Sequence, residues 1–293
     1  MQGPGYTGRF RTVLDELEGR RIRRVVFAVP AGASWPLPLY ELALMTAARV
    51  AELGLRDVEL SVVTPEAEPL ELFGPAASES VRRLLAERDV ALHTGHCPAA
   101  VRKGTLATVP EAALPADRVV SLPRLEGPSL PGLPCDREGF IPTDPHGLVE
   151  GQRDVYAAGD ATTCAIKQGG VATQQADAAA EAIAARAGAN VSPRPFRPVL
   201  RGLLLTGAAP RYLRADVSGA SGDSSSASEG ALWWPPSKIA GRWLGPYLAL
   251  NNDELRAPEG VAVEADLTAI QVHAMIGRGR DDSRAAVRTA PEP

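Results

Sequence analysis

Cysteine is scarce in this sequence, and no two cysteines stand near each other. The 293 residues contain only Cys97, Cys135 and Cys164. A disulfide framework needs paired cysteines and a redox dithiol usually needs a Cys-x-x-Cys spacing, so the sequence predicts neither. Because unpaired thiols are typical of reducing compartments, we expect a cytoplasmic protein.

Excess positive charge, long apolar runs and clustered metal ligands are also lacking. With a net charge of -4, the chain has no basic excess that would indicate a nucleic acid partner. No apolar run approaches the roughly 20 residues that cross a bilayer, and the first residues do not resemble a signal peptide. The four histidines show no spacing typical of a metal site, so none is predicted.

The amino-terminal third of the chain alternates strand patterns with helical patterns. Strands are predicted at 24–29, 57–63 and 90–93, and helices at 39–53 and from about residue 78 onwards. Strands that alternate with helices in this way pair in parallel. The sequence therefore predicts an α/β fold built on a Rossmann-like domain.

A glycine-rich phosphate loop is missing after the first of these strands. The turn that follows Val29 carries three prolines and a tryptophan where a dinucleotide-binding domain has glycines: Pro30, Trp35, Pro36 and Pro38. Proline has no amide N–H to offer a pyrophosphate, so we expect NAD(P)H to bind poorly. Glu66, after the second strand, could accept a ribose hydroxyl, but a solvated loop glutamate is the favoured interpretation.

The most informative segment of the chain lies further on, where apolar residues end in a carboxylate. Val155 to Ala158 predict a buried strand, and Gly159 and Asp160 follow it directly. A carboxylate at the end of a buried strand needs hydroxyl partners, and the ribitol chain of a flavin would supply them. The alternative is that Asp160 only caps a turn or the next helix, and the flavin interpretation is favoured.

A glycine pair, Gly169 and Gly170, precedes an alanine-rich helix that runs to about Arg186. The positive end of such a helix would stabilise the negative charge that collects on a reduced flavin ring. Alone, the pair would be an ordinary helix cap. Together with the preceding strand and carboxylate, it predicts a flavin site.

These motifs resemble the FAD-dependent pyridine nucleotide-disulfide oxidoreductase superfamily, in the branch close to type II NADH dehydrogenases and sulfide:quinone oxidoreductases. The resemblance covers most of residues 10–250. It implies two Rossmann-like domains, each with three layers and a parallel sheet, of which the FAD domain is incomplete, plus a small carboxyl-terminal domain. It also implies the FAD-binding residues Gly159, Asp160, Lys167, Gly169, Gly170, Val171 and Ala172.

The resemblance divides the chain into five segments. Residues 1–19 would be a remnant of the FAD domain, 20–122 an inserted NAD(P)-binding-like domain, and 123–190 the second half of the FAD domain. Residues 191–275 would form the carboxyl-terminal domain and 276–293 a disordered tail. The family's first phosphate loop would lie about a hundred residues upstream of Arg24. The resemblance thus implies a truncated reading frame, or a split enzyme whose separate chain supplies the amino-terminal FAD half.

Several single features keep two interpretations. Lys167 could neutralise a reduced flavin or be a solvated loop lysine, and Cys164 could face the ring but is favoured as a small hydrophobe. The aromatic segment 233–247 is favoured as a small core, with a flavin cover, a quinone site or a membrane interface as alternatives. No catalytic acid, base or nucleophile is predicted.

The function that the resemblance implies is FAD-dependent oxidoreduction. Electrons would pass from NAD(P)H or another small donor to a quinone or similar acceptor, in the cytoplasm, with peripheral contact to the inner face of the membrane left open. The alternative is a non-catalytic remnant or interaction protein that retains the fold without stably bound FAD.

Overall fold

The computed structural model describes residues 4–216, 224–239, 241–244 and 247. Its α-helices are α1 (Pro4–Glu18), α2 (Leu37–Glu52), α3 (Pro75–Ala86) and α4 (Gly169–Arg186). Its strands are β1 (Arg24–Ala28), β2 (Glu59–Val63), β3 (Val90–His93), β4 (Cys97–Arg102), β5 (Thr105–Val109), β6 (Ala112–Pro115), β7 (Arg118–Ser121), β8 (Val199–Leu204), β9 (Arg211–Asp216) and β10 (Ser225–Ser228). The predicted tail at 276–293 lies outside the described residues. None of the described helices is long and apolar enough to cross a membrane.

A four-stranded parallel sheet organises the amino-terminal half, in the order β3-β2-β1-β7. β1 pairs in parallel with β2 on one side and with β7 on the other, and β2 pairs in parallel with β3. The α/β prediction is therefore confirmed. The predicted strands and helices of this region lie close to their expected bounds.

Both faces of the parallel sheet are covered. Successive side chains of a strand point to opposite faces, and β1 shows this alternation clearly. Val25 and Phe27 join the large core cluster formed with α2 and α3, whereas Val26 and Ala28 pack against Leu106 on the other face. Burial on both faces explains why β1 is apolar throughout.

The second face is covered by an antiparallel sheet, β4-β5-β6, that sequence analysis did not predict. These strands are short and contain alanine, proline and threonine, so their apolar alternation is weak. Leu106 from β5 and Ala116, just before β7, bury against the parallel sheet. β7, which completes that sheet beside β1, was also missed.

The strand expected at Val155 to Ala158 is not present as such. Its residues are extended but half-buried, and Tyr156 forms only an isolated antiparallel bridge with Leu148. A strand gains its stability from ladder partners on either side, and within the described residues this segment has only that bridge. Gly159–Ala161 then form a short 3-10 helix.

A Gly-x-Gly-x-x-Gly spacing does occur once, at Gly3, Gly5 and Gly8. In the structure α1 begins at Pro4, so Gly5 and Gly8 lie inside its first turns. A dinucleotide-binding loop instead joins the end of a strand to the start of a helix. Gly5 and Gly8 are therefore part of a helix and do not form a phosphate loop.

The carboxyl-terminal part of the described chain forms an antiparallel sheet in the order β10-β9-β8. This sheet packs on the outer side of α2 and α3, and Leu200, Leu204 and Leu213 belong to the same core cluster as the parallel sheet. The approach is closest at Gly202, where an added Cβ would lie 2.6 Å from Phe73 Cζ.

Candidate functional site

A cavity of about 760 Å³ lies at the carboxyl ends of β1 and β7. We call it the main cavity. The chain leaves β1 toward β2 on one side while β7 lies on the other, which is the switch point where open α/β sheets bind ligands. Its lining comes from the turn after β1, the connection after β7, and the loop before α4: Pro30, Ala31, Gly32, Ala33, Ser34, Trp35, Pro38, Leu122, Pro123, Arg124, Leu125, Asp136, Glu138, Phe140, Thr163, Cys164, Ala165 and Lys167.

Lys167 is the buried cation of this cavity. Only 8% of the residue is exposed, and its Nζ donates a hydrogen bond to the Thr162 carbonyl and lies 3.8 Å from the centre of the Phe140 ring. Burial lowers the pKa of Lys167, while the Cys164 thiol and the Asp160 carboxylate act in the opposite direction. The solvated interpretation of Lys167 is therefore wrong. Phe140, its ring partner, had no signal in the sequence.

Gly159 and Ala172 come into contact, as the flavin motif implies. Gly159 has a φ of +79°, and a Cβ there would lie 3.1 Å from the Ala172 Cβ. The Gly159 N–H donates to Gln175 Oε1 at 2.7 Å, a partner that sequence reasoning did not identify. Asp160 is exposed and does not line the main cavity, and no described residue forms a hydrogen bond with its carboxylate.

The amino terminus of α4 is capped by the chain itself. Gln168 Oε1 accepts the Val171 N–H at 2.7 Å, and the Gln168 carbonyl accepts the Ala172 N–H at 2.8 Å. The Lys238 carbonyl lies 3.2 Å from where a Cβ of Gly170 would be, while Gly169 is exposed. The Val171 amide can donate to a ligand only if the Gln168 side chain moves aside. A polar residue just before a helix is the signal that would have identified this cap.

Glu66 is tied into a hydrogen-bonded cluster and is not the solvated loop residue that was favoured from sequence. Its Oε2 accepts the Tyr40 hydroxyl at 2.7 Å and the Thr64 hydroxyl at 2.8 Å. Burial raises the pKa of Glu66, against the effect of these hydrogen bonds. It lines a smaller cavity of about 290 Å³ between the ends of β1 and β2.

The turn between β1 and α2 leads into a helix whose N-cap and first turn include prolines, which have no amide N–H. Pro36 occupies the N-cap position of α2 without a side-chain hydrogen bond, and Leu37 and Leu39 are buried. The Leu39 N–H bonds back to the Pro36 carbonyl at 2.9 Å. Trp35 packs edge-on against Phe73, with ring centres 5.4 Å apart.

The aromatic segment of the carboxyl-terminal region forms a core. Trp233 is buried, its ring centre lies 5.1 Å from that of Tyr212, and its indole N–H donates to the Ser237 carbonyl. Glu181 accepts from Arg194 and from the Trp243 indole. Although burial opposes the shift, these hydrogen bonds lower the pKa of Glu181 to about 2. The small-core interpretation fits this packing.

A thiol pair in the main cavity and a metal cluster are both lacking among the described residues. Cys164 is half-buried at the edge of the main cavity without another thiol in its lining. Within the described residues, no group of three or more His, Cys, Asp or Glu side chains has an arrangement that could hold a metal ion.

Comparisons with known proteins agree with this fold. The sequence matches the family model of the pyridine nucleotide-disulphide oxidoreductases over residues 41–176. The structure is similar to the sulfide:quinone oxidoreductase of the hyperthermophilic bacterium Aquifex aeolicus, with a TM-score of 0.65 and 19% identity over 74% of this chain. It is also similar to a ferredoxin reductase from Rhodopseudomonas palustris, with a TM-score of 0.49 and 19% identity over 70% of this chain. No curated protein gave a match.

The chain spans 56% and 50% of the lengths of these two solved structures. The family match runs from α2 into α4. It includes β2, β3 and β7 of the parallel sheet but not β1, and it also includes the loop before α4 and the glycine motifs. Residues 41–176 thus match the model of the pyridine nucleotide-disulphide oxidoreductases, and the fold is shared with the sulfide:quinone oxidoreductase structure.

Proposed function

We propose that this chain acts in an FAD-dependent oxidoreductase whose flavin ring lies at the main cavity beside Lys167. Electrons would pass from a small donor to a quinone or similar acceptor. The observation that carries the proposal is a buried lysine facing a cavity at the switch point of a parallel sheet. The cavity's volume of about 760 Å³ falls within the range of about 300–1,000 Å³ usual for small-molecule sites.

The residues present fit the ring end of FAD. When bound, FAD supplies the two-electron chemistry. Lys167 would hold a positive charge near a ring that gains negative charge on reduction, in surroundings that screen it little. Phe140 and the prolines of the lining exclude water. Gly159 keeps the backbone slim beside α4, and the exposed Asp160 carboxylate is available to ribitol hydroxyls.

The expected contacts of Gly169, Gly170, Val171 and Ala172 with the ring remain part of this proposal. The Val171 contact requires the Gln168 side chain to swing away from the Val171 amide, to which it is bonded at 2.7 Å. The ligand would then replace Gln168 as the acceptor of that N–H. Because one acceptor replaces another, the exchange leaves no amide unsatisfied.

A second candidate function is a non-catalytic interaction protein that retains the fold without stably bound FAD. The capped start of α4 and the position of Asp160 outside the main cavity favour it. The two candidates differ in one property, which is the retention of flavin by the folded chain.

Flavin binding to the full chain tests the proposal. The chain is expressed alone and its visible spectrum recorded, and FAD is then titrated with fluorescence as the readout. We expect bound yellow flavin, and Lys167→Met should weaken flavin binding about 5-fold to 10-fold, equivalent to about 1–1.4 kcal/mol. Lys103→Met, at an exposed turn, is the matched control and should leave binding unchanged. A folded, colourless chain that does not bind added FAD would support the non-catalytic alternative.

A further inference from the structure

We infer that this chain rejects NADH and NADPH, so that the electron donor is a small reductant without a nucleotide. The inference rests on the proposed function, because it names the donor class for the same site. In the Rossmann-like part of the chain, side chains of the chain itself occupy both positions that a dinucleotide needs. One position binds pyrophosphate and the other binds the adenosine ribose.

The pyrophosphate position follows β1, where backbone amides at the start of α2 would have to point at the phosphates. Pro36 and Pro38 have no N–H, and the Leu39 N–H is already bonded to the Pro36 carbonyl at 2.9 Å. Trp35 fills the adjoining space by packing on Phe73, so a phosphate could not approach the backbone as it does beside glycine. At the start of α2, this position therefore offers fewer amide donors and a bulkier approach than a glycine-rich turn would.

The ribose position follows β2, where an acidic residue normally accepts the ribose hydroxyls. Glu66 occupies it, but its Oε2 is held by the Tyr40 and Thr64 hydroxyls at 2.7 and 2.8 Å. Tyr40 is fully buried on α2 and cannot turn to water. A ribose that displaced it from Glu66 would deprive the phenol O–H of its carboxylate acceptor, which is unfavourable.

The charge around this position is also wrong for a dinucleotide. The cavity between the ends of β1 and β2 is lined by two carboxylate residues, Glu66 and Glu71, and no lysine or arginine contributes to its described lining. The extra phosphate of NADPH, which lies beside the ribose, would approach like charge without a compensating cation in this lining. The turn, the ribose position and the charge thus act in the same direction.

Titration of NADH and NADPH into the full chain tests the inference. Dinucleotide fluorescence and calorimetry serve as readouts, because neither needs bound flavin. We expect no saturable binding up to about 1 mM, the upper end of ordinary KM values. Saturable binding of either dinucleotide below that concentration would overturn the inference. Flavin retention is measured separately, so failure of the proposed function would be seen as loss of flavin and not as dinucleotide binding.

Two variants test the reason for rejection. Tyr40→Phe frees the Glu66 carboxylate, and the double variant Trp35→Gly with Pro36→Gly opens the turn and restores an amide. Combined in a chain shown to be folded by circular dichroism, they should produce at least about 10-fold tighter dinucleotide binding. If the single Tyr40→Phe chain and the combined chain are both folded and neither gains affinity, the assignment of these residues as the barrier is wrong. Tyr212→Phe, remote from the turn, is the control.

Discussion

Two charged side chains at the ends of the parallel strands are largely withdrawn from water. Glu66 is held by two hydroxyls and Lys167 by a carbonyl and an aromatic ring. Burial disfavours the charged form of each, raising the pKa of the glutamate and lowering that of the lysine. At the residue scale, titration of these groups is therefore coupled to folding.

Glu66→Gln should change how stability depends on pH. The folded-state pKa of Glu66 is raised above its usual value of 4.5, so the folded chain holds this proton more tightly than the unfolded chain. The resulting stabilisation is complete below about pH 4.5 and is lost as pH rises through the folded-state pKa. The free energy of unfolding of the wild type should thus fall more over this window than that of Glu66→Gln. Urea denaturation at several pH values between about 4 and 8 measures this difference.

A matched control for this prediction is Glu79→Gln, since Glu79 is an exposed residue of α3. Its pH profile should follow that of the wild type. Asp177, whose pKa is also raised by burial, contributes equally to all three chains and cancels in the comparison. Parallel profiles for wild type and Glu66→Gln would show that the Tyr40–Glu66–Thr64 cluster does not have the predicted effect.

At the scale of elements, β8 depends on a glycine to reach α2. A Cβ at position 202 would lie 2.6 Å from Phe73 Cζ and 2.7 Å from Leu37 Cδ1, which is closer than packed atoms come. Gly202→Ala should therefore lower the free energy of unfolding by about 1–3 kcal/mol, the usual cost of overpacking. Thermal and urea unfolding measure it.

Gly8→Ala provides the opposite case within a helix. Gly8 lies in α1, is exposed, and has no atom within 4 Å of an added Cβ. Because alanine is the better helix former, this variant should be neutral or stabilised by up to about 1 kcal/mol. A Gly202→Ala chain as stable as Gly8→Ala would contradict the packing of β8 on α2.

At the scale of the whole molecule, Glu41 joins the α/β part of the chain to the carboxyl-terminal region. Its two carboxylate oxygens lie 2.5 and 2.7 Å from Lys238 Nζ, and Oε1 also accepts the Leu205 N–H at 2.9 Å. Lys238→Met would leave a buried carboxylate with one hydrogen bond. We expect a loss of about 1–3 kcal/mol in unfolding free energy, toward the lower end because the lysine side chain is 45% exposed.

The double variant Glu41→Gln with Lys238→Met tests whether the loss comes from the unpaired charge. A neutral amide oxygen can still accept the Leu205 N–H, so the double variant should be more stable than Lys238→Met alone. Lys103→Met serves again as the control for a lysine at an exposed turn. If the single and double variants lose the same stability, the ion pair does not join the two regions as proposed.

Sequence reasoning performed best where local pattern and tertiary role coincide. The strand at 24–29 is apolar from Val25 onwards because it is buried on both faces, so its composition reported its position. It failed for β4 to β6, whose short alternations are weak and which cover one face of the parallel sheet, and for β7, which completes that sheet. It also failed at Val155 to Ala158, where an apolar run had only one bridging partner among the described residues.

Some features of the candidate site could likewise be predicted from the sequence, and others could not. The amino-acid sequence determined the α/β class and the absence of a glycine-rich turn after β1, because each follows from local pattern. Only the tertiary structure decided that Glu66 is held by Tyr40, that Gln168 caps α4, and that Lys167 is buried over Phe140. These contacts join residues of different elements, and burial and pairing depend on how the elements pack, which no local pattern of residues specifies.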